Sequence, residues 1–201
     1  MMNQTRREPT DAVQLGPWID LLDELSQGAV NLTVGLIAGS RTANERGALD
    51  RLALAGLTLD SGVGLLIRLN FGNEVVSSRQ LRSARAGEQI PTPIPSPLGK
   101  WREVSIAMQP GSHASKGLER LPRWLATWKR EYVRILIDLG PLDQPVCRSI
   151  GRNCDSCLLL LGPESCASPT WLRRHIDQLT QCDVTLSGSI VVSAGPSAVA
   201  I

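Results

Sequence analysis

Short apolar runs alternate along this chain with longer stretches whose apolar residues recur every three or four positions. Residues 17–25 carry Trp18, Leu21, Leu22 and Leu25 at helical spacing, and Gly28 is placed to end that helix. Residues 32–38 form a compact apolar run bounded by Gly39 and Ser40, which predicts a buried strand. A helix follows over about 44–55, and 63–69 is a second buried strand. From 72 to 99 the periodicity decays. Pro91, Pro93, Pro95 and Pro97 exclude helix and central strand alike, so 87–99 is expected as an exposed loop. A strand at 103–108 precedes a helix over 118–131 with Leu121, Trp124, Leu125 and Trp128 on one face, the two tryptophans as core or interface residues. Residues 132–138 give the clearest strand, a β-branched run with an acid at its end. A short helix over 144–150, a strand at 156–161, a helix over 169–181 and a strand at 189–192 complete the set. Pro169 suits the first turn of its helix, with Ser168 as the cap.

About six strands separated by helices predict an α/β fold: a mainly parallel sheet with helices on both faces. The pattern places one domain over 17–195, with a weakly ordered N-terminus at 1–16 and a tail at 196–201. Ligands of such sheets bind at the carboxyl ends of the strands. The segments that could carry chemistry are therefore 39–47, 68–71, 138–144 and 162–168.

Composition narrows the function classes. At 42% hydrophobic and 20% charged, the 201 residues have the make-up of a globular domain. No apolar run approaches the roughly 20 residues that span a bilayer, and the polar N-terminus is no signal peptide, so the expected compartment is the cytoplasm. A net charge of +2 is too small to attract nucleic acid through bulk charge, and one Phe, one Tyr and five Trp are too few for a stacking platform. Only three of the 21 basic residues are lysines, at 100, 116 and 129.

That lysine count bears on the first strand end. A strand, a Gly-containing turn and a helix is the geometry that cradles phosphate, and Gly39, Ser40, Arg41, Thr42, Arg46 and Gly47 stand in it. A working P-loop needs a lysine for the β/γ-phosphates and a hydroxyl for Mg²⁺, and no lysine precedes Lys100. Arg41 or Arg46 supplies charge, but a planar fork does not act as an ammonium point does. An ordinary ligand-free strand-to-helix turn accounts for the same residues. At the second strand end Arg68 puts a cation where many nucleotide enzymes keep an aspartate. Asp138 ends the fourth strand as a Walker B carboxylate would for Mg²⁺, and equally as a turn cap would.

Five cysteines without a secretory signal favour reduced thiols. Cys147, Cys154, Cys157 and Cys166 fall within twenty residues, and the CxxC core suggests zinc or redox chemistry. However, Cys157 runs straight into Leu158–Leu161 and no second CxxC follows, which favours buried thiols acting as small hydrophobes. His113 is isolated, and His175 beside Arg173 and Arg174 reads as part of a solvated helix face.

In this order the segments resemble the cytoplasmic ATPase domain of bacterial tyrosine kinases of capsule and exopolysaccharide synthesis, relatives of the MinD/ParA P-loop proteins. Residues 132–142, YVRILIDLGPL, are similar to that family's Y-D-x-V-I-I-D-x-P-P segment. Residues 155–160 match its next strand, 188–192 its last, and 106–111 its L-P-a-G segment. The departures gather at the chemistry. Gly47 and Ala48 correspond to the P-loop Lys and Ser/Thr, Arg68-Leu69-Asn70 to the second acidic motif, and Ser193 to the base-contacting Asn. Tyr132 is the only tyrosine, so the tyrosine-rich tail is missing. Of the family's nucleotide and Mg²⁺ ligands, Asp138 alone carries over.

A sheet that keeps its strands and loses its ligands implies a catalytically degenerate P-loop-like domain, a regulatory or scaffold partner in polysaccharide synthesis with no cofactor expected. The resemblance implies a partner protein or a second copy of the chain, a membrane polysaccharide-export or polymerase component being one candidate. Two alternatives stay open. One is a divergent ATPase or kinase that binds ATP and Mg²⁺ with Arg41 or Arg46 for the lysine. The other is a metal or redox module on the four cysteines.

Overall fold

The computed structural model describes residues 15–27, 31–39, 44–59, 62–71, 90–108, 114–166, 168–192 and 199–200. Along the chain run α1 (Gly16–Ser26), β1 (Leu32–Ala38), α2 (Asn44–Leu59), β2 (Gly64–Phe71), β3 (Ile94–Pro95) and β4 (Arg102–Met108). Then follow α3 (Ala114–Glu131), β5 (Arg134–Pro141), α4 (Pro145–Gly151), β6 (Ser156–Leu161), α5 (Pro163–Cys166), α6 (Pro169–Gln181), β7 (Leu186–Val192) and β8 (Val199–Ala200).

The strands form one sheet in the order β3-β4-β2-β5-β1-β6-β7-β8. The six from β4 to β7 are mutually parallel, and the two-residue strands β3 and β8 pair antiparallel at the ends. This is the α/β fold expected from the alternation of apolar runs and helical stretches. The central strands β1, β2, β5 and β6 are buried on both faces, which is why their residues are largely apolar without alternation. β1 is buried at all seven positions.

Two apolar layers sandwich the sheet. On one face Trp18 and Leu22 of α1 and Leu49 and Leu52 of α2 pack on Val34, Leu36, Leu66, Leu136 and Leu158. On the other, Leu121, Leu125 and Trp128 of α3, Val146 and Ile150 of α4 and Leu179 of α6 pack on Ile37, Ile67, Ile135, Ile137 and Leu159. Each fully buried side chain of this size contributes about 1.5–3 kcal/mol relative to exposure. Helix α3 keeps Pro122 in its interior at the cost of a backbone hydrogen bond.

Several expectations are corrected. Residues 94–95 are not free loop: Ile94 pairs with Glu103 and Pro95 with Arg102, a place proline tolerates because it lies on the edge. Within the same segment Pro91 and Ser96 are buried. β5 starts at Arg134 and runs past Asp138 to Pro141, because a bulge lets the chain continue: Leu36 faces Asp138 but Ile37 faces Gly140. Ser168 does stand at the N-cap of α6, yet its hydroxyl makes no capping hydrogen bond. His175 is not simply solvated; its Nδ1 lies 2.8 Å from the Trp171 carbonyl and its ring packs on that indole at 4.3 Å. The residues 196–201, read as a tail, include β8.

Among the described residues, no helix is long and apolar enough to cross a membrane.

Candidate functional site

The carboxyl ends of β1, β2, β5 and β6 meet on one side of the sheet. Gly39 closes β1 there, its N–H donating to the Leu160 carbonyl at 2.7 Å. A Cβ at this position would stand 2.6 Å from Ser165 Oγ and 2.9 Å from the Leu160 oxygen, so only glycine fits so near β6 and α5. Ser165 is 3% exposed and its hydroxyl makes no hydrogen bond. It lies in 162–168, one of the strand-end segments singled out from the sequence, but no residue pattern there points to Ser165 itself, and α5 is a four-residue helix.

Ser40, Arg41 and Thr42 lie outside the described residues. Helix α2 opens at Asn44, which puts Arg46 in its first turn, with a side chain that is not described. Gly47 is exposed and faces open space where a Cβ would be. Ala48, expected at the hydroxyl position, is buried in the layer under α2.

Asp138 sits on the α2 side of β5, three residues before the strand ends. Its Oδ1 accepts the Gly140 N–H at 3.0 Å, and Gly140 takes a φ of 73°, the left-handed region that favours glycine. The turn is tied down from both sides. Leu142 N–H donates to the Ala38 carbonyl at 2.7 Å, and the Cys147 thiol donates to the Pro141 carbonyl at 3.1 Å.

Arg68 is the register partner of Asp138 on the neighbouring strand β2. Its Nη2 donates to Asp50 Oδ1 on α2 at 2.5 Å and its Nε to Glu103 Oε1 on β4 at 2.9 Å. The guanidinium is 23% exposed and Glu103 only 12%. Burial by itself would lower the Arg68 pKa, but Asp50 and then Glu103 outweigh it and hold the guanidinium above its ordinary value. The sequence placed a cation here; its two acidic partners, 18 and 35 residues away, were not legible.

The cysteines of the candidate metal set are spread through the core. Cys147, Cys154 and Cys157 are buried free thiols, and the Cys166 side chain is not described. Cys147 leans on the β5 turn, while Cys154 and Cys157 face Gly35, where a Cβ would stand 3.1 and 2.9 Å from their sulfurs. Burial pushes the Cys147 thiol up, and a hydrogen bond from Cys154 to Cys157 followed by burial pushes Cys154 up. Among the described residues no three His, Cys, Asp or Glu side chains group as metal ligands.

No protein-family description matches the chain, and no characterised protein matches it in sequence. In three dimensions it is similar to the kinase domain of Escherichia coli tyrosine kinase ETK, at 15% identity and a TM-score of 0.67 over 92% of this chain and 78% of that one. It is also similar to the VpsO kinase domain, at 20% identity and a TM-score of 0.70 over 92% and 95% of the two chains. The MinD cell division protein of Aquifex aeolicus follows at 16% identity, with a TM-score of 0.54 over 81% and 68%. At such identities the likeness concerns the fold, which is that of bacterial tyrosine kinase domains and MinD-type ATPases.

Proposed function

We propose that this chain is a degenerate P-loop NTPase-like domain that works by binding rather than by phosphoryl transfer, as a regulatory or scaffold partner in exopolysaccharide or capsule synthesis. The observation that carries the reading is Arg68. Phosphoryl transfer depends on positive charge placed on the phosphates and on a divalent ion held by carboxylates. Here the strand end beside Asp138 holds a guanidinium already committed to Asp50 and Glu103. The lack of any lysine before Lys100 supports the same reading.

The likeness in fold to the ETK and VpsO kinase domains supports the kinase-domain-like part of the reading, and the polysaccharide pathway rests on the sequence resemblance of residues 132–142 and the segments around them. The partner would be a protein of that assembly, a membrane export or polymerase component, or a second copy of this chain, met in the cytoplasm. A second reading, a divergent ATPase with Arg46 for the lysine, is favoured by the place of Arg46 in the first turn of α2.

The test is calorimetry and thermal melting with ATP, ADP and GTP, with and without Mg²⁺, beside an ATP hydrolysis assay on the wild type, Asp138→Ala and Arg46→Ala. No turnover in any condition is the expected result. Mg²⁺-dependent hydrolysis lost in Asp138→Ala or Arg46→Ala overturns the reading and favours the second.

A further inference from the structure

We infer that residues 90–97 form a preorganised proline-rich ridge that docks in an aromatic-lined groove of a second, different protein. The ridge lies beside the first residues of β4, away from the strand ends that carry Gly39 and Asp138. The inference goes beyond the reading of the nucleotide site and holds equally for an active ATPase.

In this segment Pro91, Pro93, Pro95 and Pro97 alternate with Ile90, Thr92, Ile94 and Ser96. Each proline ring fixes its own φ near about −65°. Each residue before a proline is pushed out of the helical region into extended or polyproline II backbone. All eight positions are therefore restricted before any tertiary contact forms. The fold then pins them: Ile94 and Pro95 pair antiparallel with Glu103 and Arg102. Ser96 N–H donates to the Trp101 carbonyl at 2.9 Å, and the Ser96 hydroxyl accepts Leu98 N–H at 3.2 Å and donates to Glu103 Oε2 at 3.4 Å. Pro91 and Ser96 are the buried anchors.

The side chains left facing out are apolar. Ile94 is 48% exposed, the most of any large hydrophobic among the described residues, and Ile90 is 40% exposed. Thr92, Pro95 and Pro97 are exposed beside them, and no residue between Glu88 and Lys100 is charged. At a proline the backbone offers a carbonyl and no N–H, so a partner must bring hydrogen-bond donors together with flat apolar surface. Tryptophan and tyrosine bring both on one ring, and grooves lined by them recognise extended proline-rich segments. Because the segment is already ordered, docking costs little further conformational entropy.

A second copy of this chain does not fit the role. Trp18, Trp101 and Trp128 are buried, and Trp124, Tyr132 and Trp171 pack against the core on the α3 face. Among the described residues no aromatic ring stands free to line a groove, so the occupant is a different protein.

The probes are three purified aromatic-groove modules, an SH3, a WW and an EVH1 domain, each isotope-labelled and titrated with the unlabelled full chain by NMR, without nucleotide. The expected result is saturable shifts at the groove aromatics of at least one module. Ile94→Asp, and separately Pro95→Ala combined with Pro97→Ala, should each weaken that binding at least tenfold. Val191→Asp, at an equally exposed apolar residue near the opposite rim of the sheet, should change it less than twofold. If one ridge variant fails to fold, the other decides. The inference is overturned if no module binds saturably, if the folded ridge variants lose less than tenfold, or if Val191→Asp weakens binding as much as they do. The hydrolysis assay plays no part here, so failure of this inference and failure of the non-catalytic reading are separately visible.

Discussion

Gly39 and Ser165 are packed so closely that a methyl group on the glycine would come within 2.6 Å of the serine hydroxyl. The contact joins the end of β1 to α5, and the buried hydroxyl gains no hydrogen bond from it. Gly39→Ala is therefore expected to cost about 1–3 kcal/mol, the range for overpacking a filled interior. Ser165→Gly should recover part of that loss in the double variant. Chemical denaturation of the two single variants and the double closes the cycle, and additive effects would show that the contact is not the cause.

Ser165→Ala alone is expected to leave stability unchanged or to raise it by up to about 1 kcal/mol, because a buried hydroxyl without a partner carries its desolvation cost uncompensated. A loss above that size would mean that the hydroxyl is paired in solution.

Asp155 makes two different bonds at the opposite end of the sheet. Its Oδ2 accepts the Thr33 N–H at 2.8 Å and its Oδ1 accepts Lys129 Nζ at 2.9 Å. The lysine pair is a surface bridge, and Lys129→Met should change stability by under about 1 kcal/mol. Asp155→Ala also leaves a backbone donor of β1 unpaired and should cost about 1–3 kcal/mol. Equal losses in urea denaturation would contradict this division.

The thiols of Cys147 and Cys154 have pKa values raised by the fold, so the native state holds their protons more tightly than the unfolded chain does. Their contribution is complete below the unfolded thiol value of about 8.5 and is lost as pH rises above it, by about 1.4 kcal/mol per pH unit for each thiol. Stability measured from pH 7 to 10 should show no thiol contribution to its slope up to about pH 8.5 and should fall with that slope above it, and Cys147→Ala should show a shallower fall. In the native protein at pH 8 a disulfide reagent should react with Cys182 far sooner than with Cys147, Cys154 or Cys157.

Trp101 spans two elements through its indole N–H, which donates to the Ala53 carbonyl of α2 at 2.8 Å. Trp101→Phe should cost about 1–3 kcal/mol through the lost bond and the lost ring volume, and Trp101→Ala about 3–5 kcal/mol, read from thermal melts.

The four central parallel strands are legible because burial on both faces removes most polar residues from them, as in Leu65, Leu66 and Ile67. β7 is the instructive exception. Its first half, with Ser187, Gly188 and Ser189 exposed, carries too little apolar signal, and only the part from Ser189 onward reads as strand. The last residues of β5 escaped because Gly140 and Pro141 spell a turn, while the bulge after Asp138 lets them stay paired with β1. At the candidate site, residue types were readable and partnerships were not. Arg68 is visible as a misplaced cation, but nothing in the sequence says that the chain returns Asp50 and Glu103 to it, since those meetings depend on how α2 and β4 lie across β2.

The two-residue strands at the margins also govern how copies of this chain can meet. A sheet whose rim offers a long row of unpaired amides invites strand addition from a neighbour and, in the end, fibrils. Here β3 offers two residues, of which Pro95 has no amide hydrogen to give. Strand addition onto β3 itself is disfavoured, so lasting association at this corner of the sheet would be made by side chains and would be open to tuning by single substitutions.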